Sequence, residues 1–260
     1  MLSAHDLSFS IGGREILRAV SAEVRPGSLL AVVGANGAGK STLLKLLCGE
    51  LRTPCGEVRL GNHPLEKWPR RARAQCLAVL PQSSPLAFPM TAWEVALLGR
   101  APHVLAHEGA EDYAIAEAAL EAAGVAHLAE RRYPTLSGGE KARVQLARVL
   151  AQIWQPINTR PRFLLLDEPT AALDCAHQHA LLRVAREFAQ AGVGVLAVLH
   201  DLNLAAEYAD RILVLREGRV LAEDTPAAVL TAPLLAEAFG LPTLILQHPR
   251  TGGPLVVPVP

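Results

Sequence analysis

The chain has few aromatic residues and no excess of charge. Phe, Trp and Tyr together make 4% of its 260 residues, and 25 basic side chains meet 25 acidic ones for a formal net charge of zero. A neutral chain has no global field of the kind that draws proteins to nucleic acid or anionic lipid, so no nucleic-acid partner is expected. The cluster Arg70, Arg71 and Arg73 reads as the solvated face of a short helix. The opening "MLSAHDLSFS" lacks a basic start followed by an apolar stretch, and the longest apolar runs, such as 193–199, are too short to span a bilayer. The expectation is a cytoplasmic chain without an anchor of its own. The four cysteines, Cys48, Cys55, Cys76 and Cys175, form no C-x-x-C pair, which excludes a zinc ribbon or dithiol motif and assigns them no function. Internal repeats and low-complexity tracts are also missing.

What is abundant is apolar sequence, half of all residues, ample for a packed core. Residues 4–24 alternate apolar and polar around Gly12-Gly13, the pattern of an antiparallel hairpin. Four runs are instead continuously apolar: Leu29 to Val33, Leu77 to Leu80, Phe163 to Asp167 and Val195 to His200. Such runs suit parallel strands covered on both faces. Ligands of open α/β sheets bind beyond the carboxyl ends of parallel strands, so Gln82, Asp167 and His200 are candidates to converge on one crevice.

Between the second and third runs the pattern turns helical. Thr91 and Glu94 have capping-box spacing, an Ala-rich helix runs from about Glu111 to Ala123 and stops at Gly124, and another helix opens near Ser137. The economical reading is a helical insertion at 83–152 in a core formed by 1–82 and 153–240. Late in the chain a hairpin turns at Glu217-Gly218, and the Pro-rich residues 241–260 read as a short tail.

Gly34, Gly39, Lys40 and Ser41 fit G-x-x-x-x-G-K-[ST] between a strand and a helix, the context this phosphate loop needs. Backbone N–H groups around Asn36 and Gly37 and at the helix start through Thr42 would wrap the phosphates. Lys40, expected at the open surface of the loop, would reach the β- and γ-phosphates, and the Ser41 hydroxyl would bind Mg²⁺. "FLLLDEP" supplies Asp167 at the end of a buried strand, where an unpaired carboxylate is costly and a metal-linked role is favoured. Glu168 follows as a candidate general base for a water, although adjacent acids at a strand end can also serve as helix-capping charges. "LSGGE" places Ser137 and Glu140 in capping-box spacing, with Gly138 and Gly139 allowing close approach of an anion.

Taken in order, GANGAGKST, Gln82, LSGGE, LLLDEP, "ALD" (Ala172 to Asp174) and His200 resemble the ATP-binding cassette ATPases over essentially the whole chain. The resemblance implies a P-loop (RecA-like) α/β core with an antiparallel β-subdomain and an inserted α-helical subdomain, in one cassette domain. It implies that Glu168, His200 and Gln82 are catalytic and that Ser41, Gln82 and Asp167 hold Mg²⁺. It further implies a homodimer in which Ser137, Gly138, Gly139 and Asp174 act on the ATP bound by the other subunit. Many cassettes carry an aromatic just before the glycines of the first hairpin to stack on adenine. Here Ile11 stands in that place, with Phe9 two residues earlier, so Ile11 covers the base by apolar contact alone.

The stretches "AVLPQSSPLAFPMTAWEVALLGRAPH" and "IWQPINTRPRFLLLDEP" look like those of ATP-binding subunits of bacterial haem (hemin) importers. That likeness implies two transmembrane permease subunits, an indirect link to a periplasmic haem-binding protein, and a peripheral place on the cytoplasmic face of the inner membrane. "PLAFPM" would be part of the docking groove for the permease, or an ordinary loop pinned by Phe88. Cargo alternatives are a ferric siderophore or cobalamin; an alternative of another class is a soluble cassette ATPase acting on ribosomes or DNA.

Overall fold

A computed structural model describes residues 1–82, 88–157 and 160–259. The chain begins with a hairpin, β1 (Leu2–Ile11) and β2 (Arg14–Val24), then enters the core on β3 (Leu29–Gly34) and α1 (Lys40–Leu47). β4 (Cys55–Leu60) and β5 (His63–Pro64) return to the hairpin, completing an antiparallel sheet in the order β2-β1-β4-β5. α2 (Arg70–Ala74) leads to β6 (Leu77–Leu80), after which three helices follow: α3 (Ala92–Leu97), α4 (Ala110–Ala122) and α5 (Gly138–Gln152). The chain re-enters the core through β7 (Phe163–Asp167), α6 (Cys175–Gln190), β8 (Gly194–Val198), α7 (Leu202–Tyr208), β9 (Arg211–Arg216) and β10 (Arg219–Asp224). It ends in α8 (Pro226–Val229), α9 (Ala232–Phe239) and the pair β11 (Thr243–Gln247) and β12 (Pro254–Pro258).

The central sheet runs β10-β9-β3-β8-β7-β6, with only β10 antiparallel to its neighbour. Its strands are continuously apolar because both faces are covered. Leu29, Ala31 and Val33 point into a core shared with α3 to α6, while Leu30 and Val32 point into a second core filled by α1 and the antiparallel sheet. The expected hairpin at 4–24 is therefore half of a four-stranded layer whose other strands the sequence reading did not identify.

The helical insertion is tied together by charge as well as packing. Arg100, 4% exposed, donates to Asp112 Oδ1 at 2.9 Å and to the Ala151 carbonyl at 2.9 Å, linking the turn after α3 to α4 and α5. α4 starts and stops where its signals lie, with Gly124 at φ +67° just past its end.

Two expectations change. Arg71 is not merely a solvated charge: its guanidinium donates to the carbonyls of Pro102, His103 and Val104, pinning that turn. The stretch expected as a tail, 241–260, holds an antiparallel hairpin over 243–258 that is fixed on α7, where Asn203 bonds the Val256 backbone through both its amide nitrogen and its amide oxygen. Prolines at the ends of β12 are compatible with a two-stranded sheet, where every strand is an edge. Of the expected docking loop, 83–87 lie outside the described residues. No helix among the described residues is long and apolar enough to cross a membrane.

Candidate functional site

The phosphate loop follows from how closely its neighbours pass. At Gly34, where β3 ends, a Cβ would stand 2.2 Å from the Leu215 carbonyl oxygen of β9. At Gly39, φ +104°, it would stand 2.6 Å from Leu17 Cδ2 of β2. Only glycine fits either place. Gly39 is also the N-cap of α1, and no side chain caps that helix, so its first N–H groups are left to an anion.

Lys40 corrects the sequence reading. It is 5% exposed, and its ammonium donates to the carbonyls of Gly34 at 2.8 Å and Ala35 at 3.1 Å. Burial lowers its pKa, opposed by the charges of Glu168 and Asp167. The next residue, Ser41, donates its hydroxyl to Asp167 Oδ1 at 2.9 Å. Asp167 is 4% exposed, and burial raises its pKa against the Ser41 hydrogen bond.

Of the three strand-end residues expected to meet, Gln82 and His200 come together at Glu168, while Asp167 is engaged by Ser41. β7 presents Glu168, β8 leads to His200, and β6 leads to Gln82. The Glu168 carboxylate accepts from Gln82 Nε2 at 2.7 Å on Oε2 and lies 2.7 Å from His200 Nε2 on Oε1. Both oxygens are thus engaged, and the backbone holds Glu168 at φ +49°, a left-handed conformation unusual for a residue with a side chain. Its orientation is set by three strands at once.

A cavity of about 310 Å³ opens beside this cluster, lined by the loop residues Asn36, Gly37, Gly39, Lys40, Ser41 and Thr42, with Glu168 across it and Arg14 and Ile16 on the flank. Ile11 is not in the lining; it is 58% exposed at the hairpin tip. Arg14 and Ile16 were missed by sequence reasoning. The available signal was their place directly after the Gly-Gly turn; the irregular register that leaves Ile16 unpaired between Glu15 and Leu17 carries no mark in the sequence.

Ser137, Gly138, Gly139 and Asp174 do not line this cavity either; they form a patch of their own. Ser137 caps α5 in a complete capping box with Glu140, and Asp174 caps α6 while its carboxylate lies 2.7 Å from His177 Nδ1. A Cβ on Gly139 would meet Leu173 Cδ2 at 3.5 Å and the Ala172 carbonyl at 3.7 Å, so the two capped helix starts lie side by side. Hydrogen bonds from the His177 backbone and ring hold the Asp174 pKa down.

For a magnesium ion the donors fit. The Ser41 hydroxyl and the Asp167 carboxylate are hard oxygens already in contact, and Mg²⁺ is commonly held by one or two carboxylates completed by substrate phosphates. No cluster of three His, Cys, Asp or Glu exists among the described residues, which suits an ion shared with a substrate rather than a protein cage.

Residues 17–171 match the family model described as ABC transporter. The chain belongs to the ABC transporter family. Across its length the cassette is similar to proteins named hemin import ATP-binding protein HmuV: 56% identical to that of Gloeobacter violaceus, covering 100% of this chain and 94% of the relative. It is 58% identical to that of Myxococcus xanthus over 90% and 88% of the two chains, and 52% identical to that of Deinococcus radiodurans over 97% and 95%. Among solved structures, an ATP-binding subunit of an ABC transporter superposes with a TM-score of 0.76 at 27% identity, covering 92% of this cassette and 93% of that chain. An ATP-binding cassette solved as a dimer in a post-hydrolysis state with ADP and Pi gives 0.75 at 26% identity, covering 87% and 99%.

Proposed function

We propose that this cassette is the ATP-hydrolysing subunit of a haem (hemin) importer, working as a homodimer beneath two transmembrane permease subunits. The observation that carries the cargo is the full-length likeness, 56% identity over 259 residues, to a protein named for hemin import. The observation that carries the chemistry is the Glu168 carboxylate held between Gln82 and His200 at the mouth of a phosphate loop.

In this reading ATP lies along the loop with its β- and γ-phosphates near Lys40. Reaching them requires the Lys40 ammonium to exchange its two carbonyl partners for phosphate oxygens. Ser41, Asp167 and Gln82 hold Mg²⁺, which when bound neutralises phosphate charge. Glu168 orients a water and takes its proton as the water oxygen bonds to the γ-phosphorus and the bond to the leaving ADP oxygen breaks. Gln82 and His200, by holding both carboxylate oxygens, keep that base aimed; in the same reading His200 also holds the γ-phosphate. Ser137 to Gly139 and Asp174 complete the site of the other subunit, and closure of the dimer on ATP is the population shift that drives the permeases. A periplasmic haem-binding protein would act through the permeases, and the cassette would sit at the cytoplasmic face of the inner membrane. Phe88, Leu98 and Leu105, 71%, 42% and 89% exposed, supply an apolar surface on the helical side for the permease.

The test is uptake by vesicles holding this cassette and its co-encoded permease, with haem, a ferric siderophore and cobalamin offered side by side. ATP-dependent accumulation of haem, reduced by about two to four orders of magnitude in Glu168→Gln, is the expected result. Accumulation of another cargo in place of haem would reassign the importer.

A further inference from the structure

The wall of the nucleotide cavity nearest β2 contains no aromatic ring. Ile11 points into solvent at the hairpin tip, 58% exposed, and Phe9 packs against the second core. We infer that Arg14, with Ile16 beneath it, supplies the surface on which the purine base rests, a planar guanidinium standing where a ring is usually used. The inference rests on the ATP-binding reading above.

The geometry that places Arg14 is built from the backbone upward. Gly12 and Gly13, at φ +57° and +80°, form a two-residue turn, and Ile11 pairs with Arg14 across it, so Arg14 is the first residue of β2. Two residues on, Ile16 is left unpaired where the β1–β2 register slips between Ser10–Glu15 and Phe9–Leu17, and it lines the same cavity as Arg14. Its backbone lies against the phosphate loop: a Cβ at Gly39 would lie 3.0 Å from the Ile16 carbonyl oxygen. Arg14 and Ile16 therefore flank the start of α1, and both line the cavity with Gly37, Gly39 and Thr42.

Arg14 is available for a ligand. The adjacent acid, Glu15, is taken by Arg18 at 2.9 Å, and no ion pair or side-chain hydrogen bond engages Arg14 among the described residues. A guanidinium is flat and weakly hydrated and stacks on π-faces, whereas a lysine ammonium has charge without a plane. An apolar Ile16 behind it completes a two-sided contact: stacking from one residue, exclusion of water by the other. Because stacking reads no hydrogen-bond pattern, it recognises a purine face rather than adenine in particular.

The competing role for an unpaired arginine here is contact with the phosphates, and the experiment separates the two. Equilibrium binding of ATP and of inorganic tripolyphosphate is measured for the wild type, Arg14→Ala, Arg14→Lys and Arg14→Tyr, with thermal melting to check each fold. The expected result is that Arg14→Ala and Arg14→Lys both weaken ATP by roughly 5- to 30-fold, that tripolyphosphate binding changes less than about twofold, and that Arg14→Tyr recovers ATP affinity. Equal loss of ATP and tripolyphosphate in Arg14→Ala, or wild-type ATP affinity in Arg14→Lys, would make Arg14 a phosphate ligand and overturn the inference. Wild-type ATP affinity in Arg14→Ala would overturn it too while leaving the nucleotide-binding reading intact. Failure of the wild-type protein to bind either compound would remove that reading and the inference with it.

Discussion

Asp167 shows what the site costs the fold. Its carboxylate is out of water at the end of β7, receives one hydrogen bond from Ser41, and has the negative Glu168 beside it, so burial holds its pKa above the usual value. For an acid this sign means that the ionised form is disfavoured in the folded state. The penalty is present above the folded pKa and disappears as pH falls through the unfolded one. At neutral pH, then, Asp167 lowers the stability of the nucleotide-free protein, a cost that the proposed binding of Mg²⁺ would offset. Asp167→Asn keeps the shape and can still accept from Ser41, but carries no charge. Its melting temperature in EDTA should rise by about 2–4 °C, a gain on the order of 1 kcal/mol, while Mg²⁺-dependent hydrolysis is lost. A melting temperature several degrees below wild type would show instead that the Ser41–Asp167 pair is a net stabiliser. Lys40 is the counterpart: the motif located it in the phosphate loop but did not predict its burial, because the Gly34 and Ala35 carbonyls that hold it belong to the loop's own turn and leave no trace in side-chain pattern.

At the scale of elements, the sequence was most legible where one physical rule acted alone. The four continuous apolar runs became β3, β6, β7 and β8 because a strand covered on both faces has no room for alternation. The capping boxes at Thr91 and Ser137 started α3 and α5 because the orphan N–H groups of a helix start need those oxygens. It was least legible where two signals competed. Prolines at 242, 254 and 258 argued for a tail, yet β11 and β12 pair without asking those residues for an interior ladder bond. The same logic of helix starts frames a test of the signature. Ser137 to Gly139 and Asp174 sit beside one another but outside the cavity of their own chain. If they serve the other subunit's nucleotide, a heterodimer with Lys40→Ala on one chain and Ser137→Arg on the other puts both lesions on one ATP and keeps one composite site whole. Counting occluded nucleotides should then give one per dimer. None would mean that the signature acts on the nucleotide of its own chain.

The whole molecule is two cores sharing one sheet, with Glu168 at the carboxyl end of β7, next to the edge strand β6 that leads into the helical insertion. Gln82 lies two residues beyond β6, bonds Glu168, and precedes the stretch that leads to Phe88 and α3, so a displacement there bears on the proposed base within a few residues. A permease docked there is in a position to couple its motion to hydrolysis. The sequence left two readings of Phe88 open, a pin for its loop or a contact for a partner; its ring is 71% exposed, which removes it from the core and favours the second. Phe88→Asp places a charge that docking would bury without a partner, costing on the order of 2–5 kcal/mol or more. Pull-down of the membrane subunit in detergent should therefore fall sharply, while ATP binding by the free cassette stays at the wild-type level, since Lys40, Asp167 and Glu168 lie elsewhere. Undiminished assembly would move the docking surface away from Phe88, toward Leu98 and Leu105; loss of nucleotide binding would mean that the loop is part of the catalytic core after all.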